Sequence, residues 1–240
     1  MSIRNHWGLD YWRSGEWQVC LERLRDLDKA KVKWNPARED LFNPLKALKP
    51  KDVKVVILGQ DPYPGRKYCS GHAFSISEDC DMFPPTLVTI LDEYEADLGY
   101  PFPSSGSLLP WVKQGVLLWN VYPTCTDKQS LSHHWDEYKP LTWEILDTLS
   151  AQSCVIVTLG TQARDLLRSF QNEDNEKRLL NGYLPKETGD WTNFEVLSFS
   201  HPSPRAGAKA KAPFTGSRFF TTINGKLCDL HLRPIDWRLP

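Results

Sequence analysis

The stretch that most constrains this chain is VKVVILGQDPY, residues 53–63, where an unbroken apolar run stops at a glycine and gives way to a polar cluster. A run this short and this rich in β-branched residues reads as a strand buried on both faces, because a half-exposed strand alternates and a helix needs more length. Strands of that kind belong to parallel sheets covered on both sides. In such sheets the ligand crevice opens beyond the carboxyl ends of the strands, so Gln60, Asp61 and Tyr63 are expected to face it.

Three further runs repeat the pattern. Residues 116–119 end in Asn120, residues 154–159 end in Gly160 and Thr161, and residues 194–199 end in Ser200 and His201. Helical spacing separates them. Apolar positions recur at 17, 20, 21, 24 and 27, giving an amphipathic helix over 16–30, and at 87, 90, 91, 94 and 98, giving one that stops at Gly99. Shorter helices are expected over 41–48, 136–149, 162–170 and 216–230. The loop after Tyr63 leads into AFSIS, read as a short extended run that folds Phe74 back toward the end of the first strand. Strands alternating with helices predict an α/β fold in three layers, with a central four-stranded parallel twisted sheet flanked by helices. One domain over 1–240 is expected, with 1–33 as an N-terminal helical segment packed on the core.

Composition bounds the function classes. With 40% hydrophobic and 25% charged residues the chain is of the soluble globular class. A net charge of -1 gives no global attraction to a polyanion, so any such site must be local. Six cysteines without CxxC spacing point to reduced thiols in a reducing compartment, not to a metal cluster. No run approaches the ~20 apolar residues that span a bilayer. An intracellular protein, cytoplasmic or nuclear, is the expectation.

Asp61, Asn120, Thr161 and His201 each follow a different strand, which would gather them in one crevice with the rings of Tyr63 and Phe74. A single carboxylate argues against ordinary glycoside hydrolysis by an acid and base pair. Ser203 lies near His201, but GxSxG is absent. A ring to stack on, an amide to read an edge and a donor to hold charge as a bond breaks suit a flat polar heterocycle such as a nucleobase.

The motifs Gly59-Gln60-Asp61-Pro62-Tyr63, Phe74-Ser75, Leu117-Leu118-Trp119-Asn120 and His201-Pro202-Ser203-Pro204 resemble those of the family 1 uracil-DNA glycosylases, over about residues 34–230. The resemblance implies metal-free hydrolysis of the N-glycosylic bond of deoxyuridine after the nucleotide is flipped out of DNA. It implies that Asp61 activates water and His201 is a neutral donor to uracil O2. Asn120 would read the Watson–Crick edge, Phe74 would stack, Tyr63 would exclude a 5-methyl group and Gln60 would contribute backbone contacts. Flanking phosphates would be held by Pro84, Pro85 and Thr86, by Gly160 and Thr161, and by Ser203. A Ser-His pair at Ser132-His133 also matches the family.

The chain departs from the family at Arg205, which stands where a wedge leucine is usual, and in a basic extension that brings Lys209 and Lys211 to the DNA. Uracil-containing DNA, single- or double-stranded, is the expected partner of a monomer that needs no cofactor, metal or membrane, with a proteinaceous glycosylase inhibitor as a further partner. The rival readings are a mismatch-directed glycosylase that tolerates thymine, and a DNA-binding accessory or processivity subunit that keeps the fold.

Overall fold

A computed structural model describes residues 7–172, 191–204 and 213–240. Its centre is a four-stranded sheet of β2 (Val55–Gly59), β3 (Val116–Asn120), β5 (Cys154–Leu159) and β6 (Phe194–Phe199), in the order β3-β2-β5-β6 with every neighbour parallel. The expected sheet is therefore present. Its three apolar runs, β2, β3 and β5, are buried at every position, whereas β6, at an edge, alternates between buried and open residues.

A second, two-residue ladder that the sequence does not announce pairs β1 (Trp34–Asn35) antiparallel with β4 (Cys125–Thr126). Two residues carry no periodicity.

Helices cover the sheet. Helix α1 (Gly15–Lys29) begins where Ser14 accepts a hydrogen bond from the Trp17 N–H at 3.2 Å, and it buries Trp17, Cys20 and Leu24. The short α2 spans Asn43–Ala47, while α3 (Pro85–Leu98) opens on a proline at its first turn and closes on Gly99 in the left-handed region. A turn of helix, α4 (Leu109–Val112), ends the proline-rich loop. The helix expected from residue 136 is a 3-10 turn followed by α5 (Lys139–Leu149), whose Pro140 fits only an opening turn. Helices α6 (Thr161–Asn172) and α7 (Phe219–Asp229) complete the set.

Helix α7 starts later than its apolar pattern suggests. Arg218 before it is left-handed, and the buried carboxylate of Glu93, on α3, accepts from the N–H groups of Gly216, Arg218 and Phe219. A side chain from one helix thus does for another what an N-cap residue does locally.

The segment AFSIS is not an extended run. Phe74 has φ 64, which breaks the extension and turns the chain, while Ala73 donates to the Leu118 carbonyl at 3.2 Å. The outcome expected of the segment, Phe74 folded back on the strand end, is reached through that turn.

Among the described residues no helix is long and apolar enough to cross a membrane.

Candidate active site

The carboxyl ends of β2 and β3 lie side by side, with Gly59 paired to Asn120. Gly59 has a specific steric reason. A Cβ there would stand 2.5 Å from Asn120 Oδ1 and 3.0 Å from the Phe74 ring, so only glycine lets the amide and the ring close over the strand end. The result is a cleft of about 120 Å³ lined by Gln60, Asp61, Tyr63, Phe74, Asn120 and His201, with Thr86 at its wall. Asn120 and Phe74 are only 6% and 8% exposed, and the carboxamide of Asn120 makes no hydrogen bond among the described residues. Its polar edge is therefore open to a ligand.

Asp61 is held from two sides. Gln60 Nε2 donates to Oδ1 at 2.9 Å, the Leu131 N–H donates to Oδ2 at 2.6 Å, and Ser130 Oγ lies 2.9 and 3.1 Å from the two oxygens. Ser130 and Leu131 are the functional positions that sequence reasoning misses, since nothing in their spacing announces a return to Asp61. A partial signal was there in Ser132-His133, which shapes the loop that carries them. Ser132 Oγ accepts from Thr126 N–H at 2.6 Å and donates to the Gln129 carbonyl at 2.8 Å. His133 bridges the hydroxyls of Thr124 and Thr126 at 2.9 and 3.0 Å, and burial lowers its pKa to about 4. That pair is structural support behind the carboxylate.

Tyr63 donates its phenol to the Phe74 carbonyl at 2.9 Å, and burial raises its pKa, which keeps the O–H protonated. The Phe74 ring lies 6.3 Å from the His201 imidazole at a tilt of 52°. Burial pushes the His201 pKa below the ordinary histidine value, with Asp61 opposing in part, so the ring is neutral near pH 7. A neutral imidazole keeps one N–H to donate. Gly160, at φ 92, lies directly against His201: a Cβ there would meet that side chain at 3.1 Å.

The remaining sequence-predicted residues scatter around this centre. Thr161 begins α6 and is exposed, and it does not line the cleft with Asp61, Asn120 and His201 as its position after a strand suggested. Pro84 and Pro85 open α3 beside Thr86, and Ser203 is half-buried two residues beyond His201. Arg205, Lys209 and Lys211 lie outside the described residues. Among those described, no group of His, Cys, Asp and Glu is arranged to hold a metal ion.

A buried His72 also reaches the cleft wall. Its Nδ1 has no hydrogen-bond partner among the described residues, and burial lowers its pKa to about 4.

The cleft thus combines a fixed carboxylate, an unpaired carboxamide, a neutral imidazole and two rings. This is a set able to enclose a planar heterocycle, place a water at the carboxylate and donate a hydrogen bond to a leaving group.

Comparison with known proteins agrees. The family model for the uracil DNA glycosylase superfamily matches residues 45–228. The uracil-DNA glycosylase of Amoebophilus asiaticus is 35% identical over 221 residues, which cover 90% of each chain. That of Mycobacterium tuberculosis is 35% identical over 189 residues, 79% of this chain and 74% of its own. Among solved structures, mimivirus uracil-DNA glycosylase shares the fold, with a TM-score of 0.78 at 23% identity over 100% of this chain and 90% of that one. A mimivirus UNG variant in complex with UGI gives the same TM-score of 0.78 at 22% identity, over 100% of this chain and 92% of that one. By sequence over most of its length, the chain belongs to the uracil DNA glycosylase superfamily.

Proposed function

We propose that the protein excises uracil from DNA, hydrolysing the N-glycosylic bond to release the free base and leave an abasic site. The observation that carries this reading is the convergence of Asp61, Phe74, Asn120 and His201, from four separate segments, on one cleft sized for a base. The scissile bond is out of reach within a duplex, so the nucleotide must be everted into this cleft.

In the mechanism the geometry supports, the base slides over the Phe74 ring with its Watson–Crick edge toward Asn120. The carboxamide donates to O4 and accepts from N3–H. Cytosine offers neither partner and leaves buried polar groups unpaired, at about 1–3 kcal/mol each. Tyr63 fills the space beside C5 and excludes a methyl group by its bulk. Asp61 orients the attacking water and offsets positive charge on the sugar. His201, neutral, donates to O2 as the base departs with the electron pair of the broken bond.

The small polar groups at Thr86, Thr161 and Ser203, with Pro84, Pro85 and Gly160, are read as grips on the flanking phosphates, and Arg205, Lys209 and Lys211 as further cationic contacts. DNA is the expected partner. The protein is read as a monomer, and a proteinaceous inhibitor, as UGI is in complex with the mimivirus UNG variant, is a further expected partner. The chain is further read as a single domain. In support, one continuous buried cluster runs from Trp7 to Trp237 and takes in α1 through Trp17 and Cys20.

Asp61→Asn separates this reading from an accessory subunit that merely binds DNA. Uracil release is expected to fall about 10²- to 10⁴-fold with DNA binding retained. Undiminished release would remove Asp61 from the chemistry.

A further inference from the structure

The loop that carries Asp61 and Tyr63 leaves the sheet after Gly59; the Gln60 carbonyl still accepts from the Tyr122 N–H at 2.9 Å, whereas the carbonyls of Pro62 and Tyr63 receive no backbone N–H among the described residues. A carbonyl buried without a partner is costly. Here thiols take up both, and at the adjacent Pro64 carbonyl a carboxamide joins the Lys128 N–H. Cys125 Sγ lies 3.5 Å from the Pro62 carbonyl, Cys69 Sγ lies 2.9 Å from that of Tyr63, and Asn35 Nδ2 donates to that of Pro64 at 3.0 Å. Cys125 Sγ is also 3.9 Å from the Tyr63 oxygen, so two thiols face one carbonyl. Asn35 and Cys125 are register partners in the β1–β4 ladder, which gives that small element a purpose: it grips the loop from behind. Cys69 stands in the wall of the cleft itself.

Taking the uracil-excision reading as its basis, we propose that Cys69 and Cys125 are positioning residues. The Cys69 S–H fixes the Tyr63 carbonyl and the Cys125 S–H the neighbouring Pro62 carbonyl, and together they hold the Tyr63 ring at the depth that decides whether a 5-substituted pyrimidine enters. The ring is anchored at its other end by the phenol bond to the Phe74 carbonyl and lies edge-on to Tyr68 at 6.3 Å, so the thiols complete a two-point mount. Only a protonated thiol donates. Burial, with Asp127 adding to it, pushes Cys69 up to about 12, and burial raises Cys125 as well, so both keep their protons at neutral pH. The same condition makes them poor nucleophiles, consistent with a role in geometry and not in chemistry.

Competition of free uracil and free thymine against a uracil-containing oligonucleotide reads the size filter as a ratio of inhibition constants, which does not depend on how much of a variant is folded. Cys69→Ala and Cys125→Ala are each expected to lower the thymine-to-uracil ratio about 3- to 10-fold, the effect of one lost hydrogen bond. Cys69→Ser, which keeps a donor, is expected to stay close to the wild-type ratio. Cys69→Ala carries the test alone if the fully buried Cys125 does not tolerate replacement. An unchanged ratio in the alanine variants, or an equal shift in Cys69→Ser, overturns the thiol mount while leaving uracil excision intact. Wild-type protein that releases no uracil overturns both.

Discussion

The two strand ends that carry the proposed reacting groups, Asp61 and His201, are built in different ways. The turn after β2 is fixed at nearly every atom: Asp61 receives hydrogen bonds from Gln60, Ser130 and Leu131, and the carbonyls of Pro62, Tyr63 and Pro64 are each held by a side chain. The turn after β6 carries fewer such bonds among the described residues. Ser200 accepts from the Phe214 N–H at 2.9 Å, and the imidazole of His201 lies against Gly160 and the tilted Phe74 ring without a hydrogen bond among the described residues. The carboxylate is thus oriented before any substrate arrives, and no reorganisation is spent on it. The imidazole keeps its N–H for the ligand. Water activation calls for a fixed base, whereas a donor to a departing oxygen must remain unengaged until that oxygen appears.

This contrast breaks most sharply at His201. His201→Leu is expected to slow uracil release about 10²- to 10³-fold while leaving thermal unfolding nearly unmoved, because no described hydrogen bond depends on the ring. A large loss of stability would mean that the β6 turn is as tightly built as the β2 turn. Next comes Gly59→Ala, whose new Cβ must displace Asn120 Oδ1 or the Phe74 ring. We expect about 1–3 kcal/mol of destabilisation in chemical unfolding, together with weaker uracil binding. Ser130→Ala removes one donor of several from the carboxylate and is expected to cost about 3- to 10-fold in kcat/KM, with melting unchanged.

The smallest effect is one of pH. His72 titrates near 4 when folded against 6.5 in the open chain, so between those values the unfolded state takes up a proton that the folded state refuses. Stability from this source is complete above about pH 6.5 and is lost as pH falls toward 4. His72→Leu removes one such group and an unpaired nitrogen, leaving His133 as another. The acid-side fall in melting temperature becomes shallower, with no loss at pH 7.

The same contrast explains what the sequence reveals. Strands β2, β3 and β5 are legible because burial on both faces writes them as continuous apolar runs, and their polar ends then mark Asp61 and Asn120. The motif residues Gly59 to Tyr63 and His201 to Pro204 are contiguous, so they too can be read directly. What stays hidden is made by return of the chain from afar. Ser130 and Leu131 reach Asp61 through a loop with no periodicity, Cys69 and Cys125 meet at a carbonyl whose need for a donor is invisible in one dimension, and Glu93 caps α7 from another helix. Thr161 marks the limit of such reading, since position after a strand does not by itself bring a residue into the cleft wall once a helix begins there.

The central claim is tested most directly by base release from single-stranded and duplex oligonucleotides carrying uracil, thymine or cytosine at one position, in the presence of EDTA. The account predicts release of uracil from both forms, none above background for thymine or cytosine, and no effect of the chelator. Retained DNA binding without uracil release, or release of thymine as fast as uracil, would contradict it.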